Sequence, residues 1–531
     1  MFLKRLKRVF SEVAQEEAWL FDSRVQGSSN FLHPQFHVFS EVFNLETVED
    51  LILPSSSVPA PSLKHGLEKI VRTEGIYPAH QFPEIVRKLP PILPEIHKRF
   101  TTYVRPSKDL ELEKLSIKHN AKYFTGSSSL TDSLQQIYYA LTNYKSPDIT
   151  GLGEGFNHLT MNYMASYRKP NTFFLRKHES GVYSVENDKG PIVNKAVEVL
   201  LMGGTILENL FTSEEKDFKG IIDMSSELSA EQREHILEAS RSYRYRKIGR
   251  LVIRSQIDCE SKDAEGKSFV YEIKTRACAP IRYDLENYQD YFDYQIIRRR
   301  GVDQSYEREY FDLIRSILIK YFFQIKIGRM DGAAVAYHNT QETFGFEYIS
   351  LKEIEKRLFG CSEISDQIMK ITLCVFEDIL DEVTQKFPDD EFLKVGLFAN
   401  YLTNELMITI ENHKTEFEYP SKPEELKYLK SEIDYYNRYF PGKTAYVMCR
   451  KIFPYINGIL QKEPVFLEAG DDFSFRQVKY TKGMMKFQEY MYFLMHAYKM
   501  ESFTIHKEFK GVWKKYNDFH VYRKPIYNSA H

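Results

Sequence analysis

The sequence predicts a mixed α/β fold in which a helix, a run of strands, a second helix and a closing strand follow one another. Apolar residues recur at helical spacing over 192–211, and apolar and polar residues alternate over 243–276. A second amphipathic stretch, over 305–327, precedes the apolar segment DGAAVAYHNT. Spacings near 3.6 and 2.0 residues are the periods of a helix and of a strand. These segments form the predicted centre of the fold.

Length and composition indicate a large globular protein with more than one domain-sized unit. The 531 residues are 43% hydrophobic and 14% aromatic, enough for a sizeable core. The formal net charge of −2 gives no overall basic field. Between Arg241 and Arg329, however, there are 19 Lys and Arg against 13 Asp and Glu. A local positive excess around a site favours a nucleic-acid partner more than the total charge does.

Four stretches differ in composition and predicted structure. They are a helical N-terminal segment (1–53), a proline-rich and helical region (54–150), the strand-and-helix core (151–350) and a mixed α/β C-terminal region of unassigned role (351–531). In the second stretch, GSSSLT supplies Ser and Thr caps before a helix over roughly 130–144. In the third, FFLRKHESGVYSV predicts a hairpin at 173–185. The C-terminal region is predicted to contain helices at 352–358, 364–387 and 482–500 and strands at 394–411 and 444–453.

The cysteines and the N-terminus bear on the compartment. Five cysteines form no C-x-x-C pair, which argues for a reducing compartment without structural zinc. No apolar run approaches the roughly 18 residues of a membrane-spanning helix. The first ten residues, MFLKRLKRVF, are basic and amphipathic. They suit an organelle transit segment, a membrane-surface helix or an ordinary first helix, and the sequence leaves these interpretations open.

The clearest chemical signal lies in two alternating runs. Asp258 ends LVIRSQID, and Glu272 stands in FVYEIK with Lys274 two residues further on. Because strand side chains alternate between faces, Glu272 and Lys274 share one face. The polar residues DAEG between the runs indicate a turn, so we expect a hairpin that brings Asp258 close to both. Two carboxylates and an ammonium group at a sheet edge can bind Mg²⁺ and orient water at a phosphodiester.

The E-x-K spacing alone is a weak motif, because it recurs at four other places in helix-like or loop-like surroundings. Glu272 differs in having β-branched and aromatic neighbours, which indicate a strand. The alternative interpretation is a polar outer face of an antiparallel sheet. The residues by themselves leave both interpretations open.

Several strings together resemble one known family: MGGTILENL, GRLVIRSQID, EIKTRA, IRYDLENY, SYEREYFDLIRSILIKYFFQIKIGRMDG and AYHNT. They are similar to the fungal mitochondrial factors of the PET class that mature and degrade RNA 5′ ends, and the resemblance covers roughly 55–350. The order of elements resembles the α-β-β-β-α-β core of the PD-(D/E)XK nuclease superfamily. The resemblance implies a 5′-to-3′ exoribonuclease associated with the mitochondrial membrane. Many relatives carry Asp in place of Glu272, and either carboxylate satisfies the superfamily motif.

The resemblance also implies a glutamate on the first core helix. The spacing from Gly204 to Glu208 matches the superfamily pattern, which makes Glu208 a better candidate than Glu198. Gln324 resembles the superfamily's helix glutamine, although a position at the edge of the core fits it equally well.

In this hypothesis Asp258 and Glu272 bind one or two Mg²⁺ or Mn²⁺ ions, with the backbone carbonyl of Ile273 as a further ligand. Glu208 holds a water molecule or a second ion. Lys274 orients the attacking water and neutralises charge on the phosphate.

The implied partner is single-stranded RNA with a free 5′ end. Arginines predicted to follow its backbone are Arg276, Arg282, Arg298, Arg299, Arg300, Arg308 and Arg315. The implied location is mitochondrial, peripheral to the inner membrane. The sequence identifies no RNA polymerase or degradosome partner.

Two other classes of function remain compatible with the residues. One is a non-catalytic RNA-binding or scaffold protein that keeps the nuclease fold. The other is a DNA-directed nuclease of the same superfamily. The preference for RNA rests on the resemblance, since one fold serves many substrates.

Overall fold

The protein is described by a computed structural model over residues 35–39, 49–56, 58–71, 75–159, 161–164, 167–168, 170–188, 195–262, 266–400, 405–412 and 444–486. The basic first ten residues and most of the segment predicted to be helical at 1–53 lie outside this part. Where that segment is described, it forms strands at Gln35–Phe39 and Asp50–Leu53, so the helical prediction is wrong there. Aromatic and β-branched or apolar side chains in QFHVF and DLIL favour extended chain.

The helices of the described chain are α1 (Glu84–Arg87), α2 (Pro94–Phe100), α3 (Leu110–Lys118), α4 (Ser127–Leu141), α5 (Lys195–Thr212), α6 (Glu215–Ile222), α7 (Ala230–Ser240), α8 (Ala279–Tyr283), α9 (Tyr306–Ile314), α10 (Leu318–Gly328), α11 (Leu351–Phe359) and α12 (Ser362–Lys386). The strands are β1 (Gln35–Phe39), β2 (Asp50–Leu53), β3 (Ile76–Pro78), β4 (Tyr123–Gly126), β5 (Asn171–Lys177), β6 (Tyr183–Asn187), β7 (Tyr243–Ile248), β8 (Leu251–Gln256), β9 (Cys259–Lys262), β10 (Ser268–Ala277), β11 (Gly332–His338), β12 (Thr343–Ser350), β13 (Phe392–Asn400), β14 (Glu405–Asn412), β15 (Thr444–Ile456), β16 (Ile459–Leu460) and β17 (Phe473–Lys486).

The strands form two sheets. The large sheet has the order β1-β17-β15-β14-β13-β5-β6-β4-β8-β7-β2, with β16 paired to β15. The small sheet has the order β3-β12-β11-β10-β9, in which β10 and β11 are parallel. The mixed α/β class is therefore confirmed, as is the order helix (α5), strands (β7 to β10), helices (α9, α10) and strand (β11).

Most predicted elements outside the centre are also present. The hairpin at 173–185 is β5 and β6, and the C-terminal helices and strands at 352–358, 364–387, 394–411 and 444–453 are α11 to β15. The helix predicted at 482–500 is wrong for 482–486, which belong to β17. Residues 487–500 lie outside the described chain.

The helix predicted over 305–327 is two helices, α9 and α10, with a break at residues 315–317. At the break the Ser316 hydroxyl donates a hydrogen bond to the backbone carbonyl of Asp312. A serine bonded back to the preceding turn competes with the backbone ladder and bends helices. The amphipathic pattern therefore runs through both helices, although the helix itself is interrupted between them.

All four predicted stretches contribute strands to the large sheet, from β2 at one edge to β17 near the other. The boundaries at 53, 150 and 350 therefore divide the sequence by composition and predicted structure. That they are also domain boundaries stays a prediction. Among the described residues, no helix is both long enough and apolar enough to cross a membrane.

The predicted pairing of the two strands that carry the candidate site residues is wrong. β8 lies in the large sheet between β4 and β7, whereas β10 lies in the small sheet between β9 and β11. The hairpin partner of β10 is β9, with Tyr271 opposite Cys259. Ile257 and Asp258 form the two-residue link by which the chain passes from one sheet to the other. Asp258 therefore lies at the junction of the sheets.

The faces of β10 are as the alternation predicted. Tyr271 and Ile273 pack in an apolar cluster with Ile206 and Leu207 of α5. Val270, on the other face, belongs to the main core that also contains α10 and the inner face of the large sheet. Glu272 shares that second face, so its carboxylate lies on the side of the small sheet that meets the main core.

Candidate nuclease site

The sheet junction contains a cavity of about 170 Å³ that brings the predicted acidic residues together. Asp258 comes from the link between the sheets, Glu272 and Lys274 from β10, and Glu208 from α5. The complete lining is Tyr103, Gly126, Ser127, Ser128, Glu208, Arg254, Gln256, Asp258, Glu272, Lys274 and Gln324. Glu198, the weaker candidate on α5, is exposed and lies outside this lining.

Short contacts hold three of these groups in place. The Asp258 Oδ2 atom accepts a hydrogen bond from the backbone N–H of Ile273, 3.1 Å away. Lys274 Nζ lies 2.8 Å from Glu272 Oε1 and 4.0 Å from Asp258 Oδ2. The ammonium group also lies 6.0 Å from the centre of the Tyr321 ring on α10. Lys274 therefore sits between the two carboxylates, and the Ile273 carbonyl remains a predicted ligand only.

The site carries more negative than positive charge in an environment that disfavours charge. Burial raises the pKa of Glu208 and Glu272, and the negative charge of Asp258 raises both further. Burial also raises the pKa of Asp258, against the opposing charge of Lys274. Burial alone would lower the pKa of Lys274, but Glu272 and Asp258 hold it above its usual value. One ammonium group thus faces three carboxyl groups, and a bound cation would stabilise their ionised forms.

The residues present fit a hard divalent cation. Glu272 is only 1% exposed, and its Oε2 atom is buried without a hydrogen-bond partner. Carboxylate oxygens are the ligands that Mg²⁺ and Mn²⁺ prefer. As the side chains are placed, the described part of the chain contains no three His, Cys, Asp or Glu residues arranged as a complete ligand group. Glu272 Oε1 is instead engaged by Lys274.

Four of the arginines predicted to follow RNA surround Asp312. Arg276, Arg308 and Arg315 are buried and Arg282 is partly buried, so these four do not form an exposed surface, and their contact with RNA stays a prediction. Arg282 pairs with Glu309 and lies 2.8 Å from Asp312, and Arg308 lies 3.3 Å from Asp312. Although burial alone would raise it, these cations hold the pKa of Asp312 below its usual value. The sequence identified these arginines as cationic residues. It did not show that acidic residues on α9 would pair with them and draw them away from the surface.

Arg298, Arg299 and Arg300 are exposed, in the segment before α9. Of the seven predicted arginines, only these three present an exposed cationic surface. Their contact with RNA stays a prediction.

Three lining features were not predicted as site residues. Tyr103 is 47% exposed, Arg254 pairs with Asp109, and the first turn of α4 reaches the cavity through Ser127 and Ser128. The string GSSSLT predicted Ser and Thr caps at the start of a helix, and it did not predict a contact with the site. In the structure Gly126 is the N-cap, and it has no side-chain capping bond.

Cys259 has no chemical role suggested by its surroundings. It is buried at the start of β9, and burial raises the pKa of its thiol to about 12. A thiol in this state is a poor nucleophile at neutral pH.

A family model described as mitochondrial protein Pet127 matches residues 103–381. PET127 of Saccharomyces cerevisiae, named as a candidate component of the mitochondrial translation system, is 36% identical over 258 residues. That match covers 48% of this chain, which spans only 30% of the relative. The mitochondrial mRNA degradation protein pet127 of Schizosaccharomyces pombe is 28% identical over 382 residues, with 69% of each chain covered.

Two solved structures show distant similarity. Rai1 of Scheffersomyces stipitis has a TM-score of 0.33 and 12% identity, covering 74% of this chain and 96% of that one. Dxo1 of K. lactis, solved with manganese, has a TM-score of 0.33 and 10% identity, covering 72% and 95%. The Pet127 family model matches more than half of the residues, and the chain therefore belongs to the Pet127 family of mitochondrial proteins.

Proposed function

We propose that this chain is a metal-dependent mitochondrial ribonuclease that degrades or trims RNA from its 5′ end. The observation that carries the proposal is the convergence of Glu208, Asp258, Glu272 and Lys274 on one cavity. Buried acidic groups with raised pKa values beside a lysine ammonium group are typical of sites that bind a metal and a phosphate. The relative named as an mRNA degradation protein supports RNA as the substrate.

In the proposed reaction a divalent cation held by Asp258, Glu272 and Glu208 would supply Lewis-acid activation of the phosphodiester. The backbone N–H of Ile273 donates a hydrogen bond to one carboxylate oxygen of Asp258 and so fixes the orientation of that side chain. The other carboxylate oxygen of Asp258 is left for the cavity. Lys274 Nζ lies 2.8 Å from Glu272 Oε1. From this position the ammonium group would orient an attacking water and stabilise charge developing on the phosphate oxygens. Gln256 and Gln324 line the same cavity and can donate hydrogen bonds to phosphate or ribose oxygens.

A single assay tests this proposal. RNA and DNA of one sequence, labelled at the 5′ end, are incubated with the wild-type chain in Mg²⁺ or Mn²⁺. We expect early release of label as a short product from RNA, slower attack on DNA and no reaction with chelator. Glu208→Gln should abolish release, whereas the exposed Glu198→Gln on the same helix is the matched control and should retain it.

The same assay separates the alternatives. RNA that is bound but never cleaved in either metal would indicate a non-catalytic scaffold. DNA cleaved as fast as RNA, or faster, would indicate a DNA-directed nuclease. A ladder of progressively shorter fragments that keep the 5′ label would contradict the proposed direction.

We further propose peripheral association with the inner mitochondrial membrane, motivated by the basic amphipathic sequence MFLKRLKRVF. Alkaline carbonate should release such a protein from mitochondrial membranes. Recovery in the carbonate-resistant pellet, or in the soluble matrix before extraction, would contradict the association. Deletion of residues 1–13 tests whether this stretch is needed for import.

A further inference from the structure

The N-terminus of α4 shares the cavity with the acidic residues. Gly126, Ser127 and Ser128 all line it, and they form the cap and the first two positions of a 15-residue helix. The first backbone N–H groups of a helix have no intrahelical acceptors. Gly126 at the cap has no side chain that could accept a hydrogen bond from these donors.

A second observation points to a ligand at this turn. Ser127 is only 3% exposed and lines the cavity, and its hydroxyl makes no hydrogen bond within the described part of the chain. The hydroxyl oxygen is not among the enclosed polar atoms without a partner, so a ligand or water in the cavity can reach it. Ser128, beside it, is exposed and also lines the cavity, so a ligand can reach the turn from solvent.

The chemistry of the turn favours an anion. Backbone N–H groups and the partial positive charge of the helix end attract phosphate, and serine hydroxyls can donate to its oxygens. Glu208, Asp258 and Glu272 elsewhere in the cavity would repel an anion unless a cation lay between them. The cavity therefore offers two phosphate positions of different character, one at the carboxylates and one at the helix end.

The depth of the turn favours a chain end over an internal nucleotide. Ser127 lines the cavity at an almost inaccessible position, 3% exposed. An internal phosphate would require the RNA to leave in both directions. A terminal phosphate monoester needs one exit and carries up to two charges and three acceptor oxygens.

We propose that the α4 N-terminus, with the Ser127 and Ser128 hydroxyls, binds the 5′-terminal phosphate of the RNA; this rests on the proposed ribonuclease function. With that phosphate fixed at the helix end, the next phosphodiester along the strand lies toward Asp258 and Glu272. The subsite thus gives the enzyme its direction. RNA with a 5′-hydroxyl lacks the group that this subsite recognises.

The test measures the affinity of the full chain for 5′-phosphorylated and 5′-hydroxyl RNA of the same sequence in Ca²⁺, a hard cation for the carboxylates, with the RNA checked to be intact after each titration. We expect the wild type to prefer the phosphorylated end by about tenfold, as charge-assisted hydrogen bonds allow. Ser128→Asp should remove most of this preference by repelling the phosphate. Its melting temperature should be unchanged or higher, because a carboxylate near a helix N-terminus is stabilising.

Ser127→Ala should weaken the preference by roughly threefold or more, since it removes one donor. Ser129→Ala is the matched control, because Ser129 is a buried serine of the same turn that lies outside the cavity lining. It should retain the wild-type preference. Equal affinity of the wild type for both RNAs, or a preference that survives Ser128→Asp, would overturn the subsite.

Failure of this inference is distinguishable from failure of the proposed function. A wild type that cleaves both RNAs at equal rates and binds both equally would keep the nuclease and reject the subsite. A wild type that cleaves no RNA, yet loses its 5′-phosphate preference on Ser128→Asp, would keep the subsite and reject the nuclease. Inorganic phosphate competing equally with both RNAs would also count against recognition of the 5′ end.

Discussion

The carboxylate of Asp258 accepts a hydrogen bond from the backbone N–H of Ile273 across the junction between the two sheets. Asp258 follows the last residue of β8, and Ile273 lies in the middle of β10. One bond of 3.1 Å therefore fixes an acidic side chain from the large sheet beside Glu272 and Lys274 of the small sheet. The geometry of the candidate site therefore depends on how the two sheets pack together.

Glu272→Gln should abolish metal-dependent RNA cleavage without unfolding the protein. Burial disfavours the charged form of Glu272, and the amide has the same shape but cannot serve as an anionic metal ligand. Turnover should fall by about two orders of magnitude or more. The cleavage rate in Mg²⁺ and the melting temperature without metal, measured for both proteins, check this. Near-normal cleavage by the variant would contradict the metal site.

Lys274→Met should lower kcat far more than it weakens RNA binding. The ammonium group lies beside the carboxylates of the proposed site, whereas the proposed RNA contacts of exposed cations lie elsewhere. Methionine keeps the stem packed near Tyr321 while removing the charge. Single-turnover rates and RNA Kd values separate the two effects. A large loss of affinity with unchanged turnover of bound RNA would refute this role.

RNA affinity should fall with salt in a way that depends on the exposed arginines. Neutralising Z phosphates on a single strand gives a slope of log K against log salt of about −0.7Z. Replacing Arg298, Arg299 and Arg300 together with Ala should flatten this slope by roughly one to two units. Titrations at several salt concentrations measure it. An unchanged slope would place the RNA path elsewhere on the protein.

Arg282→Ala should lower the free energy of unfolding. Its guanidinium pairs with Glu309 and Asp312, both fully buried, and the truncation leaves these acids short of a partner. Breaking a buried ion pair from one side typically costs about 3–5 kcal/mol. The exposed Arg299→Ala should change the free energy of unfolding by no more than about 0.5 kcal/mol. Urea unfolding of both variants provides the comparison, and equal stabilities would contradict the buried network.

His338 should make the fold less stable below neutral pH. Burial, assisted by the charge of Arg282, lowers its pKa from 6.5 to about 4. The unfolded chain therefore binds more protons between these values, and the stabilising contribution is present above pH 6.5 and lost as pH falls toward 4. From pH 7 to 5 the expected loss is about 1–2 kcal/mol.

The matched variant for this effect is His338→Asn. Its side-chain oxygen can replace Nδ1, which accepts a hydrogen bond from the Thr340 N–H at 3.0 Å. Unfolding free energies at pH 5, 6 and 7 should show a smaller decline for the variant than for the wild type. Parallel declines would mean that other groups cause the pH dependence.

The sequence by itself determined the local elements and the identity of the acidic groups. Alternation in FVYEIK placed Glu272 and Lys274 on one face, and apolar spacing located α5 with Glu208, because strand and helix periods depend only on near neighbours.

Only the tertiary structure decided which sheet each strand joined. The pairing of β8 with β4, more than a hundred residues away in sequence, competes with the short hairpin to β10 and takes its place. The same long-range packing buried Arg282 against α9 and carried the α4 N-terminus to the carboxylates. Such contacts depend on how surfaces that are distant in the chain fit together. The local spacing of apolar and polar residues carries no information about that fit.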